Sequence, residues 1–467
     1  MGYFLKEKFT MSFNNSNANL IGRPDNGSTI YLYFVSIVAA VSGLLFGFDG
    51  GVITGALPFI TRHFNLNTHQ EGFAVSNLVI GCIVGASFAG TLTDRFGRKK
   101  ILIFVALFYI VSAIYSGFSR TYIDLITARF LGGLAIGMGS VVSPMYISEI
   151  APAKIRGRLT ALNQLTIVSG ILVVYFTNWL LVDIGPNNWR WMFIAEAFPA
   201  SVFFFAVFFI PESPRWLIKM GKIDNALDIL SRVGGRKHAE EVVKEIKTTI
   251  EKEEGTITEL FKPGLRMALI VGILLAFFGH MCGINAVTYY SPKIFMRAGY
   301  ENASSAFLAT IMVAVTLLIF TIVTIFVIDK LGRKPLLLIG SLGMAISFAF
   351  TGFAFQHQSI SGIWVVFSII SYIAFFAISM GGVIWVYLPE IFPNKVRGRA
   401  MSIATIVLWL TEFIVAQTFP WLVEKIEGRT FYLYSAVCAV SLVFVWFMIK
   451  ETKGKTLEEI EKMWGKY

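Results

Sequence analysis

Long apolar runs, broken by short basic or polar clusters, dominate this chain of 467 residues. Ala268 to Phe278 carries no charge, and neither does Ser371 to Leu388, which is about the length of a bilayer crossing. Such runs recur too often, and are too long, to be the buried helices of a soluble core. The pattern predicts twelve membrane spans: 31–60, 72–93, 100–118, 121–150, 158–182 and 189–210, then 265–296, 303–329, 335–356, 361–391, 399–424 and 430–450. Between these halves, Pro211 to Pro263 is polar. Val242, Val243, Ile246 and Ile250 recur there at helical spacing with charges between them, which predicts short amphipathic helices. The expected organisation is a polar segment 1–30, a six-helix bundle 31–210, a cytoplasmic linker 211–264, a second bundle 265–450 and a cytoplasmic tail 451–467.

Composition agrees with a membrane protein. The chain is 55% hydrophobic and 15% charged, against about a quarter charged for soluble domains. The formal charge of +11 raises the question of nucleic acid. The basic residues form no single aromatic-laced stripe, so no nucleic-acid partner is expected. They cluster in Asp94–Lys100, Pro152–Arg158, Asp329–Pro335 and Pro393–Arg399, all on one side if the spans alternate. Positive charge marks the cytoplasmic side, so both termini are expected inside, in a multi-pass protein of the cell membrane. The first thirty residues lack an apolar core before a cleavage site, so no cleaved signal peptide is expected. Cys82, Cys282 and Cys438 each lie in an apolar run and read as small buried hydrophobes.

The two halves repeat one another. GTLTDRFGRKK at Gly90 returns loosely as FVIDKLGRKPL at Phe326, and MYISEIAPAKIRGR at Met145 returns as VYLPEIFPNKVRGR at Val386. PESPRW (Pro211–Trp216) has a looser echo in KETKGK (Lys450–Lys455). Duplicated membrane halves are a transporter architecture with the site at their interface. The repeated chemistry reads as a latch: Asp94, Glu149, Asp329 and Glu390 can pair with Arg98, Arg156, Arg333 and Arg397 at neighbouring span ends. The planar fork of arginine suits carboxylates and terminal helix carbonyls alike. Gly97, Gly157, Gly332 and Gly398 permit tight turns. Plain anchoring by basic residues would explain the positive charges but not the paired acids.

Three ionisable residues fall inside spans: Asp49, Arg129 and Glu196. A charge at membrane depth must be paired, neutralised or wet, and a functional role is the default over a structural ion pair. Arg129 can offset two acids and leave one carboxyl free to titrate. Glu412 is a further intramembrane acid, open to either a pocket role or a local pairing. There is no P-loop and no H-E-x-x-H, so neither an ATP-driven pump nor a metalloenzyme is expected, and no catalytic residue, metal site or cofactor.

Taken together, GLLFGFDGGVITGAL (Gly43–Leu57), the two D-[RK]-x-G-R-K loops, ARFLGGLAIG, SPMYISEIAPAKIRGR, NQL (Asn163–Leu165), PESPRW, GINAVTYYSP (Gly283–Pro292) and WVYLPEIFPNKVRGR resemble the sugar porter branch of the major facilitator superfamily. The resemblance covers nearly everything beyond the polar N-terminus. It implies an all-α fold of two pseudo-symmetric six-helix bundles with short cytoplasmic helices. It also implies uptake of a monosaccharide or polyol by alternating access, in a protein working as a monomer in the lipid bilayer. Asp49 takes the place of the coupling carboxylate of proton-coupled members, with Arg129 and Glu196 as its partners; facilitative glucose carriers lack an acid there. Proton symport is therefore the expectation, with a facilitative uniporter, or a sensor on the same fold, as alternatives. The resemblance further implies a substrate pocket of Gln164, Asn285, Tyr289 and Tyr290, with Trp385, Phe46 and Phe376 as aromatic walls. Gly279 and His280 replace a family Gln-Gln pair, Leu317 replaces an Asn, and Leu408 replaces an amide. His280 can meet a sugar hydroxyl or titrate near neutrality. Gly283 and Pro292 predict a bend that lets Tyr289 and Tyr290 close the outer gate.

Overall fold

A computed structural model describes residues 28–250, 260–262, 265–300, 302–357, 362–393, 396–455, 459–460 and 463–464, and within α5 it leaves the side chain of Arg156 undescribed. Nearly all of the expected segment 1–30 lies outside the described residues. Twelve spans among the described residues are long and apolar enough to cross a membrane. The described residues contain no strand.

The first half runs α1 (Thr29–His63), α2 (Thr68–Phe96), α3 (Arg98–Phe118), α4 (Tyr122–Ile150) and α5 (Ala153–Leu181), then a sixth span in two pieces, α6 (Asn188–Ile194) and α7 (Ala197–Val207). Polar residues start three of these helices. Ser28 caps α1, and Asn67 with Gln70 and Thr121 with Asp124 form reciprocal capping boxes at α2 and α4. α1 lies so close to α5 that a Cβ on Gly47 would sit 2.0 Å from the Ile167 carbonyl, and one on Gly170 2.0 Å from that of Leu44. Small residues at such crossings are how membrane helices gain van der Waals contact where lipid supplies no hydrophobic drive. The linker holds α8 (Pro214–Lys219), α9 (Ile223–Gly234) and α10 (Arg236–Ile250), as the amphipathic spacing predicts. Their own small core is Leu217, Ile218, Ala226, Leu230, Ala239 and Val243.

The second half begins with a broken span, α11 (Leu265–Met281) and α12 (Ile284–Arg297). Gly283 joins them at φ +95°, a left-handed conformation that suits glycine, so the expected bend is present. Next come α13 (Ala303–Leu331) and α14 (Arg333–Gln356). The tenth span is α15 (Gly362–Phe376), a wide π turn at Ala377–Gly381 and α16 (Gly382–Ile391). α17 (Arg397–Ile426) and α18 (Arg429–Met448) complete the bundle. The halves meet where α2 packs on α17 and α5 on α13. Large apolar side chains such as Phe205, Phe209, Ile346, Phe367 and Phe447 face outward, as a lipid-facing surface requires.

The breaks in the sixth and tenth spans are not apparent in the hydropathy pattern. Gly157 and Gly398 form no turn: both lie within helices, α5 and α17, whereas Gly97 and Gly332 do adopt φ near +90° (+92° and +94°).

Candidate functional site: a buried ion pair and a polar cluster

Asp49 on α1 and Arg129 on α4 meet in the middle of the first bundle, 1% and 0% exposed. Arg129 Nη1 donates to the Asp49 backbone carbonyl at 2.9 Å and to its carboxylate Oδ1. The guanidinium carbon also stands 5.7 Å from the Phe193 ring centroid. Asp49 Oδ2, Arg129 Nε and Nη2 and both Glu196 carboxyl oxygens are closed off and have no hydrogen-bond partner among the described residues. Arg129 therefore bonds one acid, where the sequence allows two, and Glu196 stands at the break between α6 and α7 without a bonded partner. Gly132 makes the room: a Cβ there would lie 2.2 Å from Asp49 Oδ2 and 2.6 Å from Ser112 Oγ.

In the second bundle, four polar side chains gather around the break in the seventh span. His280 precedes it; Asn285 and Tyr289 follow it. Asn285 Nδ2 lies 2.7 Å from His280 Nδ1. The Tyr289 hydroxyl donates to Glu412 Oε1 at 2.5 Å, and Glu412 Oε2 lies 3.4 Å from His280 Nδ1. Phe46 of α1 faces Trp409 of α17 with ring centroids 5.7 Å apart, so an aromatic pair spans the two halves beside this cluster. Gln164 on α5 is half-buried and makes no side-chain hydrogen bond among the described residues. Phe376 is buried at the end of α15, and Trp385 is 43% exposed on α16. Neither makes an aromatic or polar contact with the cluster. Tyr290 points elsewhere: its hydroxyl donates to the Ala416 carbonyl at 2.7 Å and its ring lies 5.1 Å from Phe419, packed on α17 rather than joining the cluster. Sequence reasoning did not assign Trp409 and left the role of Glu412 open; the signal of Glu412 was an acid inside an apolar span.

At the far end of each bundle sits an arginine cluster. Arg98 grips Glu149 with two bonds, of 3.0 and 2.8 Å, and reaches Asp94 at 3.4 Å. Arg333 bonds Glu390 at 2.8 Å and Asp329 at 3.1 Å. The repeat extends further than the loops. Glu212 accepts from the backbone N–H groups of Arg98 and Lys99, and Glu451 from those of Arg333 and Lys334. Ser213 donates to Glu149, and Thr452 to Glu390. Tyr146 and Tyr387 donate to the carbonyls of Pro211 and Lys450. The loose echo of PESPRW in KETKGK thus carries an acid-plus-hydroxyl unit that the sequence reading did not assign. Arg397 is a correction: Nε donates to the Phe392 carbonyl at 3.2 Å, and no acid among the described residues pairs with it. It caps the end of α16 instead of latching a carboxylate. Arg156, as a latch residue, lies outside the described side chains.

The opposite end is shut by polar contacts between the halves. Lys293 pairs with Glu71 at 2.5 Å, Ser76 donates to Gln417 at 2.7 Å, and Gln417 donates to the His69 carbonyl at 3.2 Å. Thr68 donates to Glu424. Thr54, at 2.9 Å, and Tyr175 both donate to the Thr288 carbonyl, and Trp179 to Ser304 at 3.2 Å. Most of these residues are single polar residues near span ends and do not stand out in the sequence; Thr54 and Thr288 lie within quoted runs, but nothing there signals a bond between the halves. Among the described residues no three His, Cys, Asp or Glu side chains converge to hold a metal, and the three cysteines are buried and unpaired.

Comparison with known proteins adds to this geometry. The family model "Sugar (and other) transporter" matches residues 35–464. The arabinose-proton symporter of Bacillus subtilis is 42% identical over 444 residues, covering 93% of this chain and 96% of its own. The xylose transporter XylE of Escherichia coli, in a partially occluded inward-open conformation, superposes with a TM-score of 0.83 at 35% identity, over 92% of this chain and all (100%) of that one. The proton:xylose symporter XylE bound to 6-bromo-6-deoxy-D-glucose gives 0.76 at 36% identity, over 93% and 99%. Match length, identity and fold agree, and the chain belongs to the sugar transporter family of the major facilitator superfamily.

Proposed function

We propose that this protein is a proton-coupled symporter of a monosaccharide or polyol, working by alternating access. The carrying observation is the buried triad of Asp49, Arg129 and Glu196. Two carboxyl groups share one guanidinium, and only Asp49 is bonded to it. Full ionisation would leave a net negative charge at membrane depth, which is costly. One exchangeable proton balances the site. When that proton sits on Asp49, its hold on Arg129 weakens and α1 is freed from α4; when it leaves, the pair re-forms. The arabinose-proton and xylose-proton relatives support this reading, as does the lack of any nucleotide-binding motif.

Substrate occupies the cleft between the halves. Gln164, Asn285 and His280 supply hydrogen bonds to its hydroxyls, and Phe46, Trp409 and Trp385 supply faces for its C–H surface. Tyr289 and Tyr290 hold the wall that separates this cleft from the shut end. The arginine clusters lie on the cytoplasmic side by their positive charge, so the shut end is external and this conformation faces inward. The higher superposition score on the inward-open form of XylE than on its sugar-analogue complex fits that assignment. Both termini then lie in the cytoplasm, the protein works as a monomer in the cell membrane, and the proton is its only cofactor.

The test is transport in sealed proteoliposomes with labelled arabinose, xylose, glucose and inositol. The expected result is exchange of at least one pentose or hexose without a gradient, and its accumulation under an inward proton gradient. Equal exchange with no accumulation would replace symport by facilitated diffusion. No movement of any of the four would remove the sugar assignment and leave a sensor as the better reading.

A further inference from the structure

Proline has no N–H, so inside a helix it leaves the carbonyl four residues earlier without its donor. Pro292 lies inside α12, and the carbonyl it frees is that of Thr288. A carbonyl oxygen has two lone pairs. Two hydroxyls from the other half meet this one: Thr54 of α1 donates at 2.9 Å, and Tyr175 of α5 donates as well. Both donors are buried, each 2% exposed. The same rule operates within the second half. Pro420 frees the Ala416 carbonyl in α17, and the Tyr290 hydroxyl takes it at 2.7 Å. That bond joins two helices of one bundle. The bonds to Thr288 cross from one bundle to the other.

The sequence repeats the unit. Thr54–Pro58 reads TGALP and Thr288–Pro292 reads TYYSP, each in the first span of its half. Their spacing equals that of Asp94 and Asp329 within one residue. The two threonines are used differently. Thr54 reaches across the interface, whereas the Thr288 hydroxyl turns back to the Ile284 carbonyl at 3.1 Å. The contact is therefore one-way, with the donors on the first half and the acceptor on the second. We propose that Pro292 serves the transport cycle by baring the Thr288 carbonyl, and that Thr54 and Tyr175 are positioning residues that grip this carbonyl while this end is shut and release it when the end opens. The proposal rests on the alternating-access reading and adds a backbone catch to it.

The bend and the catch are separate devices. Gly283 turns the span between α11 and α12 by its own backbone conformation, five residues before Thr288. With an ordinary residue at 292, the helix would keep the Thr288 carbonyl for itself, and the two hydroxyls would compete with a backbone N–H for it. A cavity of about 160 Å³ adjoins the catch, lined in part by Thr54, Pro58 and Thr61 of α1 and by Tyr290 and Lys293 of α12. As the halves part, solvent entering there takes over from each lost partner. The catch thus releases without stranding a buried polar group, which is the costly outcome for a broken hydrogen bond.

The test uses the purified full chain with spin labels at Asp183 and Gln356, exposed positions at the outer ends of α5 and α14. The distance distribution gives the ratio of open to shut outer ends, and melting temperatures are recorded alongside. Tyr175→Phe and Thr54→Val should each raise that ratio about two- to twelvefold, the worth of one hydrogen bond. Thr54→Ser keeps a donor and should keep the parent's ratio. Pro292→Ala returns an N–H to the helix, so it should raise the ratio, and adding Tyr175→Phe to it should change little more. Variants that lower the melting temperature and leave the distances alone show a merely structural contact and overturn the proposal. So does a Tyr175→Phe effect of the same size with and without Pro292→Ala. Should Pro292→Ala fail to fold, Thr54→Val against Thr54→Ser decides, and equal distances in the two overturn the proposal. Exchange of labelled L-arabinose, xylose and glucose by the parent is measured in parallel. If none exchanges while the distances shift as expected, the catch stands and the sugar assignment fails.

Discussion

Asp49 is held by one neighbour and accommodated by another, and the two make different predictions. Arg129 supplies the positive charge, so Asp49→Asn removes the proton that the coupling needs. Accumulation of sugar under a proton gradient should vanish in vesicles, and residual exchange should lose its dependence on the gradient; a variant that still concentrates sugar would end the coupling role of Asp49. Gly132 supplies the space. A methyl group 2.2 Å from Asp49 Oδ2 must displace the carboxylate or the helix, because the bundle is packed on both sides. Overpacking of this kind costs about 1–3 kcal/mol. Gly132→Ala should therefore lower the melting temperature and impair gradient-driven uptake together, whereas Gly132→Ala with normal coupling would show that the carboxylate is free to move. These residues differ in how far the sequence exposes them. Asp49, Arg129 and Glu196 are legible because a charge inside an apolar run is conspicuous. That Arg129 bonds only Asp49 depends on the angle between α1, α4 and the broken sixth span, which no local pattern encodes.

Helix ends carry the repeat between the two halves. Glu451 shows how one carboxylate closes a helix start: it takes the backbone N–H groups of Arg333 and Lys334 at the head of α14, and those of Thr452 and Lys453 beside it. Partial burial pushes its carboxyl up, but these N–H groups outweigh burial and hold it below the usual range. A depressed folded value contributes stability that is present above the unfolded value, about 4.3 for glutamate, and is lost as pH falls through the folded value. Glu451→Gln should therefore lower the melting temperature at pH 7, with the gap from the parent protein closing in acid; a gap that widens in acid would contradict the assignment. At the break in the seventh span, Gly283→Ala meets both a left-handed backbone and the Tyr434 ring 2.9 Å away. The expected cost is about 1–2 kcal/mol from the backbone alone, read as a lower melting temperature. This scale was legible where a residue type forces a conformation. Gly283 announced its bend, and apolar periodicity announced the spans and the linker helices. The π turn at Ala377–Gly381 was hidden, because its residues are as apolar as the helices around it and its stability comes from contacts such as the Thr324 hydroxyl donating to the Ala377 carbonyl at 2.9 Å. Glu212 and Glu451 were half-visible: the echo between their segments was readable, but its role needs the third-helix and ninth-span N-termini that fold back onto it.

The two bundles pass substrate only if neither closed form is too stable, and the shut end of this molecule can be weakened without touching the cleft. Lys293 and Glu71 form an ion pair between the halves, at 2.5 Å, with the glutamate side chain 7% and the lysine 28% exposed. Ser76, Gln417 and the His69 carbonyl add a neutral chain beside it. These contacts are lost when this end opens, so they bias the equilibrium toward the present conformation by their differential free energy. The arginine clusters act differently, since Arg98 with Glu149 and Arg333 with Glu390 each lie within one bundle and stiffen it as a rigid body. Removing one partner of a partly buried pair leaves the other charge uncompensated, and the outward-open form lets that charge reach water. Lys293→Met with Glu71→Gln removes the pair without leaving a lone charge, and at about 1–3 kcal/mol for such a coupling it should shift the ratio of the two forms by about five- to 150-fold toward outward-open. The measurement is the distance distribution between spin labels placed at the external ends of α2 and α17, on residues whose side chains face solvent. The double variant should populate a longer distance than the parent at the same pH. Arg98→Lys, which loosens one bundle's internal clamp, should broaden the distribution without favouring the longer distance. If the double variant keeps the parent's distances, this end is held shut by close packing such as that of Gly72 on α2 against the Gln417 carbonyl of α17, and the polar ties merely decorate it.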